Sequence, residues 1–198
     1  FKSLIGEYVM KYFCPTNEYI GLHYKQYGPN ISEPIILNHT SSCVSQSEEH
    51  ITVYLPWYKD DYLYPIFKKF KNLKFNIFSK NTQKANEIDN ILFHPIEEKK
   101  FSKSLAQSYG VICNAGFQTT SEVIHLGKRL LTIPIKGQYE QICNIIALNE
   151  IGVSSLEALR LESEQDIKLW LNSNPVKIKF NNNLEDLLSK KIKSLLNN

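Results

Sequence analysis

The chain has 198 residues, of which 42% are hydrophobic, 12% aromatic and 22% charged, so it holds enough apolar material for a real core and does not read as disordered. Lys and Arg number 23 against 20 Asp and Glu, a net charge of +3 that is too weak a balance to imply a nucleic-acid partner. No apolar run approaches the roughly 18 residues that span a bilayer, so no transmembrane segment is expected.

Residue 1 is Phe and the single Met is Met10, which predicts that something stood upstream: a leader, a tag or a whole domain. Cys14, Cys43, Cys113 and Cys143 are scattered, with no Cys-x-x-Cys pair and no His at metal-ligand spacing. Reduced thiols in a cytoplasmic setting and no metal site are therefore expected.

In chain order, residues 1–50 read as the tail of a preceding unit followed by a linker. Tyr19 to Leu22 is a short apolar piece, Gly28-Pro29-Asn30 a turn signal, and Asn38 to His50 a polar stretch. From residue 51 onward the pattern is regular. Strands are predicted at Ile51–Leu55, Phe75–Phe78, Asn90–Phe93, Gly110–Cys113 and Arg129–Ile133. Helices are predicted at Tyr62–Lys71 despite Pro65, and at Phe101–Tyr109, Thr119–Leu126 and Glu140–Ile151. The helix at Glu140 is expected to turn Ile142, Ile145 and Ile146 inward. Leu156–Leu171 and Leu184–Leu196 complete the chain as helices. Near-continuous apolar strands alternating with helices indicate an α/β fold, a doubly wound parallel sheet of Rossmann-like type.

In such a sheet, ligands bind outside the carboxyl ends of the strands, and two junctions there are rich in polar residues. The first runs from Asn114 through Gly116, Gln118, Thr119, Thr120 and Ser121 to Glu122. Gly116 permits a tight turn or close approach of a ligand, and hydroxyls beside the opening amides of a helix suit a phosphate. Thr119-x-x-Glu122 equally spells a capping box, and at this level both readings stand. The second junction is Pro134 to Gln141, with Asn144 one turn on. Glu140 beside Gln141 suits the vicinal hydroxyls of a sugar; the alternative is a solvated first turn with Glu favoured by the helix dipole.

Other chemistries lack their residues. Pro56 and Trp57 stand where a Gly-x-Gly-x-x-Gly would follow the strand at Ile51. Glu122 occupies the first Gly position of a P-loop ending at Gly127-Lys128. The five His make no i, i+4 pair around a Glu, and no Gly-x-Ser-x-Gly elbow is present.

Read together, Gly110 to Glu122, the Leu-Gly-Lys-Arg-Leu-Leu-Thr-Ile-Pro segment ending at Pro134, and Glu140-Gln141-x-x-Asn144 resemble the donor-binding signature of GT-B glycosyltransferases. The UDP-sugar transferases and the peptidoglycan N-acetylglucosaminyltransferase are the nearest types. The resemblance implies that residues 51–198 are a nucleotide-sugar-binding, Rossmann-like C-terminal half, and that residues 1–50 end an N-terminal domain and its linker. It implies that Gly116, Gln118, Thr119 and Thr120 bind the diphosphate, Glu122 the ribose, and Glu140 and Gln141 the transferred sugar. The base would lie near His94 and Ile96. Asn144 aligns too, with a structural role as the alternative. The partners implied are a nucleotide-sugar donor, UDP-sugar by type, and the chain's own N-terminal domain, which would carry the general base; no cofactor is implied. Peripheral membrane association is left open. The departures are Phe117 and Asn114 within the signature and Pro56-Trp57-Tyr58 in the first-strand loop. A nucleotide-sugar 2-epimerase of the same architecture and a non-catalytic sugar-nucleotide-binding module are the alternative readings.

Overall fold

The computed structural model describes Tyr8, Tyr12 and residues 19–36, 50–181 and 184–196, with the backbone alone at 184, 185, 187 and 194–196. Most of the polar stretch from Asn38, together with Cys14 and Cys43, lies outside the described residues. Contacts divide the chain into two compact units, Ile36–Lys179 and a smaller one made of Phe1–Ile35 with Phe180–Asn198.

The larger unit is a seven-stranded sheet. Its strands are β3 (His50–Tyr54), β4 (Lys74–Ser79), β5 (Asn86–Ile88), β6 (Ile91–Pro95), β7 (Gly110–Asn114), β8 (Arg129–Ile133) and β9 (Ser154–Ser155). Helices α1 (Asp60–Phe67), α2 (Glu98–Gln107), α3 (Phe117–Leu126), α4 (Tyr139–Glu150) and α5 (Glu164–Leu171) connect and cover them. The spatial order is β5-β6-β4-β3-β7-β8-β9. Every pairing is parallel except that of β5 with β6. Without β5 this is the doubly wound Rossmann order, in which the chain runs outward from β3 in one direction and then returns to run outward from β7 in the other.

The period of two along each strand sorts the core into two layers. Ile51 and Val53 of β3 lie in register with Phe75 and Ile77 of β4, and Val53 with Ile112 of β7. These residues form one buried cluster with Leu63, Ile66 and Phe67 of α1 and with Ile167 and Trp170 of α5. The opposite face meets α2. Tyr54 and Phe78 pack on Phe101, with ring centroids 5.0 and 5.2 Å apart. The buried Thr52 hydroxyl lies 2.6 Å from that of Ser104, which is 3.1 Å from His50 Nε2. Helices therefore cover both faces, as continuous apolar strands require.

Two departures from the sequence expectation stand out. The segment from Leu156 to Ser163 is a loop, and helix begins only at Glu164. Tertiary hydrogen bonds take up its backbone groups: Leu159 N–H donates to Tyr58 Oη at 3.1 Å, and the carbonyls of Leu159 and Leu161 accept from Tyr62 Oη and Lys69 Nζ at 3.0 and 2.7 Å. The second departure is α4, where Ile142 and Ile146 are 42% and 46% exposed while Gln141, Ala147 and Leu148 are buried. The inward face is thus rotated from the expected one.

The smaller unit contains β1 (Gly21–Leu22) and β2 (Ile31–Ser32), paired in parallel, and α6 (Leu184–Leu196). The backbone N–H of Asn181 donates to a Glu33 carboxylate oxygen at 2.7 Å. On α6, Leu188 and Ile192 are exposed, and the side chains of Leu184 and Leu187 lie outside the described residues. Among the described residues no helix is long and apolar enough to cross a membrane.

Candidate functional site

The point of reversal lies between β3 and β7, where Tyr54 pairs with Cys113. Beyond these two carboxyl ends opens the crevice in which such sheets bind ligands. From the β3 side comes the loop of Pro56, Trp57 and Tyr58. Trp57 is 63% exposed, and Lys80 Nζ sits 5.0 Å from its ring centroid. The loop after β4 that carries Lys80 is anchored by Asp60, which accepts hydroxyl hydrogen bonds from Ser79 and from Thr82 at 2.9 Å.

From the β7 side the chain passes through Asn114, Ala115 and Gly116 into α3. Helix begins at Phe117, two residues earlier than the sequence predicts, with Gly116 as N-cap. Thr119 is therefore the third residue inside the helix, and the capping box of Thr119 with Glu122 does not form. Glu122 Oε1 instead accepts from Gln118 Nε2 at 2.8 Å, one turn back. Its carboxylate is held in place while only 4% exposed. Gly116 has φ of −71°, so no tight turn demands glycine there. A Cβ built on it meets nothing within 4 Å, so the space beside the Gly116 Cα is open. Of the four residues assigned to a diphosphate, Thr120 faces inward. Its hydroxyl lies 2.8 Å from the Gly116 carbonyl, and Ser121 likewise donates to Phe117 O at 2.7 Å. Gln118 is exposed and Thr119 half-buried.

At the far end of α3, Gly127 adopts φ of +68°, with its N–H and that of Lys128 closing onto Ile124 and Val123 carbonyls. This left-handed stop delivers the chain into β8.

After β8, the turn Ile135–Gln138 is closed by Gln138 N–H to Ile135 O at 3.1 Å. Gly137, at φ of +83°, supplies the conformation that the third position of a type II turn requires. Gln141, 7% exposed, braces that turn from α4. Its Oε1 accepts from Ile135 N–H at 2.9 Å, and its Nε2 donates to Gln138 Oε1 at 2.8 Å. Glu140 points to solvent. Asn144 Nδ2 donates to Ala115 O at 2.9 Å, tying α4 to the β7 loop. These loops enclose a cavity of about 740 Å³ lined by Trp57, Tyr58, Asn114, the Pro134–Gln138 turn, Ile142 and the Glu157–Arg160 loop.

His94, near the end of β6, stacks on Phe78 at 4.9 Å. Burial foremost, then the charges of Lys100 and His50, lowers its pKa below the usual 6.5. It is thus a neutral ring at pH 7, and Ile96 beside it is 47% exposed. His125 is lowered by burial and Lys179. Cys113, enclosed behind the crevice, has its thiol pushed up to about 12 by burial.

Sequence reading thus located both junctions but left two of their features unread. Trp57 carried a signal, an aromatic directly after the central strand. The brace formed by Gln141 carried none, because its partners are a backbone amide six residues away and an exposed Gln.

A sequence model of glycosyl transferase family 1 matches residues 11–175. No curated protein matches the chain. Among solved structures, the crystal structure of the glycotransferase of kitacinnamycin is similar with a TM-score of 0.55 at 11% identity, covering 72% of this chain and 41% of that one. The glycosyltransferase SnogD from Streptomyces nogalater is similar with a TM-score of 0.43 at 15% identity, covering 79% and 47%. The chain spans less than half the length of either structure.

Proposed function

The chain belongs to glycosyl transferase family 1, and from that premise we propose that residues 51–198 include the domain that binds the nucleotide-diphosphate sugar, a UDP-sugar by type, in a glycosyl transfer. Supporting this is the buried Glu122 carboxylate, oriented by Gln118 in a helix that starts beside open space at Gly116, at the point of strand reversal. Glu122 holds the ribose hydroxyls, as acceptor of two charge-assisted hydrogen bonds. Gly116, Gln118 and Thr119 lie along the diphosphate, where the positive end of α3 stabilises the departing anion without a metal ion. Thr120 packs beneath them. The base lies against the neutral His94 ring and Ile96. Glu140 reaches the transferred sugar, and Gln141 shapes the turn beside it.

Residues 1–50 close an N-terminal domain that supplies the general base and the acceptor site. The 198 residues therefore bind donor without turning it over. A cytoplasmic setting, free or peripheral to a membrane, belongs to the same reading.

Calorimetric titration with UDP and UDP-sugars tests the assignment. Wild type should saturate, and both Glu122→Ala and Glu122→Gln should bind about 10- to 100-fold more weakly, as expected for lost hydrogen bonds to a charged group. Equal, weak binding of every donor by wild type and variants would overturn the site. Efficient transfer by the isolated chain would overturn the division of labour.

A further inference from the structure

The amino ends of β4 and β6 lie at the opposite end of the sheet from the crevice. Phe75 pairs there with Ile91, and Asn76 with Leu92. Beside them opens a second cavity, of about 800 Å³, whose lining includes Lys68, Lys69, Lys71 and Lys74. All four are exposed and crowd the short stretch between the end of α1 and the start of β4. The negative end of α1 accounts for Lys68, its C-cap, and for Lys69 beside it, but a helix dipole acts over only about one turn and does not account for Lys71 and Lys74.

Lys69 Nζ donates to the Leu161 carbonyl at 2.7 Å, and Lys68 Nζ sits 4.7 Å from the Tyr64 ring centroid. Among the described residues none of the four makes an ion pair, although Glu87 and Asp89 line the same cavity. The Asp89 carboxylate accepts from Tyr64 Oη at 2.7 Å instead. Crowded ammonium groups without a counter-charge repel one another, and a bound anion relieves that repulsion.

The other wall carries acceptors. Asn90 spends its Nδ2 on the carbonyls of Phe67, Phe70 and Leu73, at 3.2, 3.0 and 2.9 Å. This fixes the amide and leaves Oδ1, among the described residues, as its unpaired end. The half-buried Asn76 side chain has no partner among them either. Glu87 adds a carboxylate and Leu92 a half-buried apolar surface. Carboxylate and amide oxygens repel a phosphate and accept from hydroxyls, so the two walls suit the two ends of one ligand.

We propose that this cavity binds a phosphate monoester of a polyhydroxylated carbon skeleton, a sugar phosphate in class. The phosphate lies among Lys68, Lys71 and Lys74, and hydroxyls donate to Glu87, Asn76 and Asn90. Lysine meets a phosphate as a compact point charge, and the volume falls within the range of small-molecule sites. The site is separate from the crevice, so it does not rest on the donor-binding reading.

Calorimetry of the full chain at fixed ionic strength tests it, with glucose 6-phosphate, inorganic phosphate and glucose as probes. Glucose 6-phosphate should saturate and bind at least about threefold more tightly than inorganic phosphate, the scale of one hydroxyl hydrogen bond, and glucose should not bind. Lys71 and Lys74 are exposed, so the double variant Lys71→Ala with Lys74→Ala keeps its fold. It should weaken glucose 6-phosphate by about tenfold or more, as expected for lost charge-assisted contacts. Lys99→Ala with Lys103→Ala removes the same charge from exposed positions of α2 and should change that affinity by less than about twofold. Saturating UDP should also leave it within about twofold, as independent sites require. Equal losses in the two double variants, equal affinity for the ester and for free phosphate, or displacement by UDP overturns the site and leaves the donor reading standing. Failure of glucose 6-phosphate to bind overturns it as well, and binding to phosphatidylglycerol vesicles in that case reassigns the lysines to a membrane surface.

Discussion

Replacing Gln141 by Leu separates a brace from a ligand contact. The side chain keeps nearly the same volume but loses both polar atoms. Two neutral hydrogen bonds disappear, each worth about 1 kcal/mol net. The Ile135 N–H is left without its acceptor on a half-buried residue, where water reaches it in part, so the further penalty falls at the low end of about 1–3 kcal/mol. The sum is about 3 kcal/mol, felt at the Ile135–Gln138 turn, and with two compact units the melt need not be a single transition. Hydrogen exchange is therefore the sharper assay. The Ile135 amide should lose on the order of 100-fold or more in protection, as about 3 kcal/mol implies, while amides in β3 and β7 keep theirs. Gln141→Glu retains an acceptor for Ile135 and should restore much of that protection. Unchanged protection of Ile135 in Gln141→Leu, with donor affinity lost, would refute the brace and make Gln141 a direct contact.

Gly127→Ala should cost about 1–2 kcal/mol, the penalty for a Cβ in the left-handed region, with an added clash of 2.8 Å against the Lys177 side chain; a melting temperature equal to wild type would refute the strained stop. Cys113, with its thiol pushed up to about 12, should resist iodoacetamide at pH 8 in the folded chain while the half-buried Cys143 reacts. Peptide mass spectrometry reads this, and equal labelling rates would contradict it. His94 and His125 both have pKa values lowered by folding, so the unfolded chain binds more protons than the folded one below about pH 6.5. Stability should therefore fall as pH drops through 6.5 and continue falling until the lowered folded values are passed. Urea denaturation at pH 7.5 and 5.5 measures it. His94→Gln should flatten the fall, and a stability that rises on acidification would reverse the assigned sign.

The strands most legible in the sequence are those whose fate is fixed locally. Arg129–Ile133 forms as read, and Gly110–Cys113 gains only Asn114, because apolar runs bounded by glycine and turn residues have few other ways to hide. β5 and β9 were missed for the opposite reason. Asn86-Glu87-Ile88 and Ser154-Ser155 carry almost no apolar signal, and they are strands only because β6 and β8 offer them a ladder. The loop at Leu156–Ser163 reads as helix by its leucines, yet hydroxyls and an ammonium from α1 and its flanks capture its backbone first. At the site, residue types marked both junctions, but direction did not follow from type. Thr120 and Gln141 point inward because each binds a backbone group that no spacing reveals, the Gly116 carbonyl and the Ile135 N–H.

Those same weak strands have a use beyond extending the sheet. The outermost ladders are three residues long on one side and two on the other, and all three residues of β5 are exposed, a glutamate among them. An incoming β-strand from another copy would find too few free amides to pair with, and on one flank it would meet a buried-charge penalty for covering Glu87. The parallel core, whose central strands are apolar enough to polymerise if bare, is thus bounded by margins that discourage edge-to-edge growth. Replacing Glu87 by an uncharged residue therefore bears on how this protein behaves at high concentration.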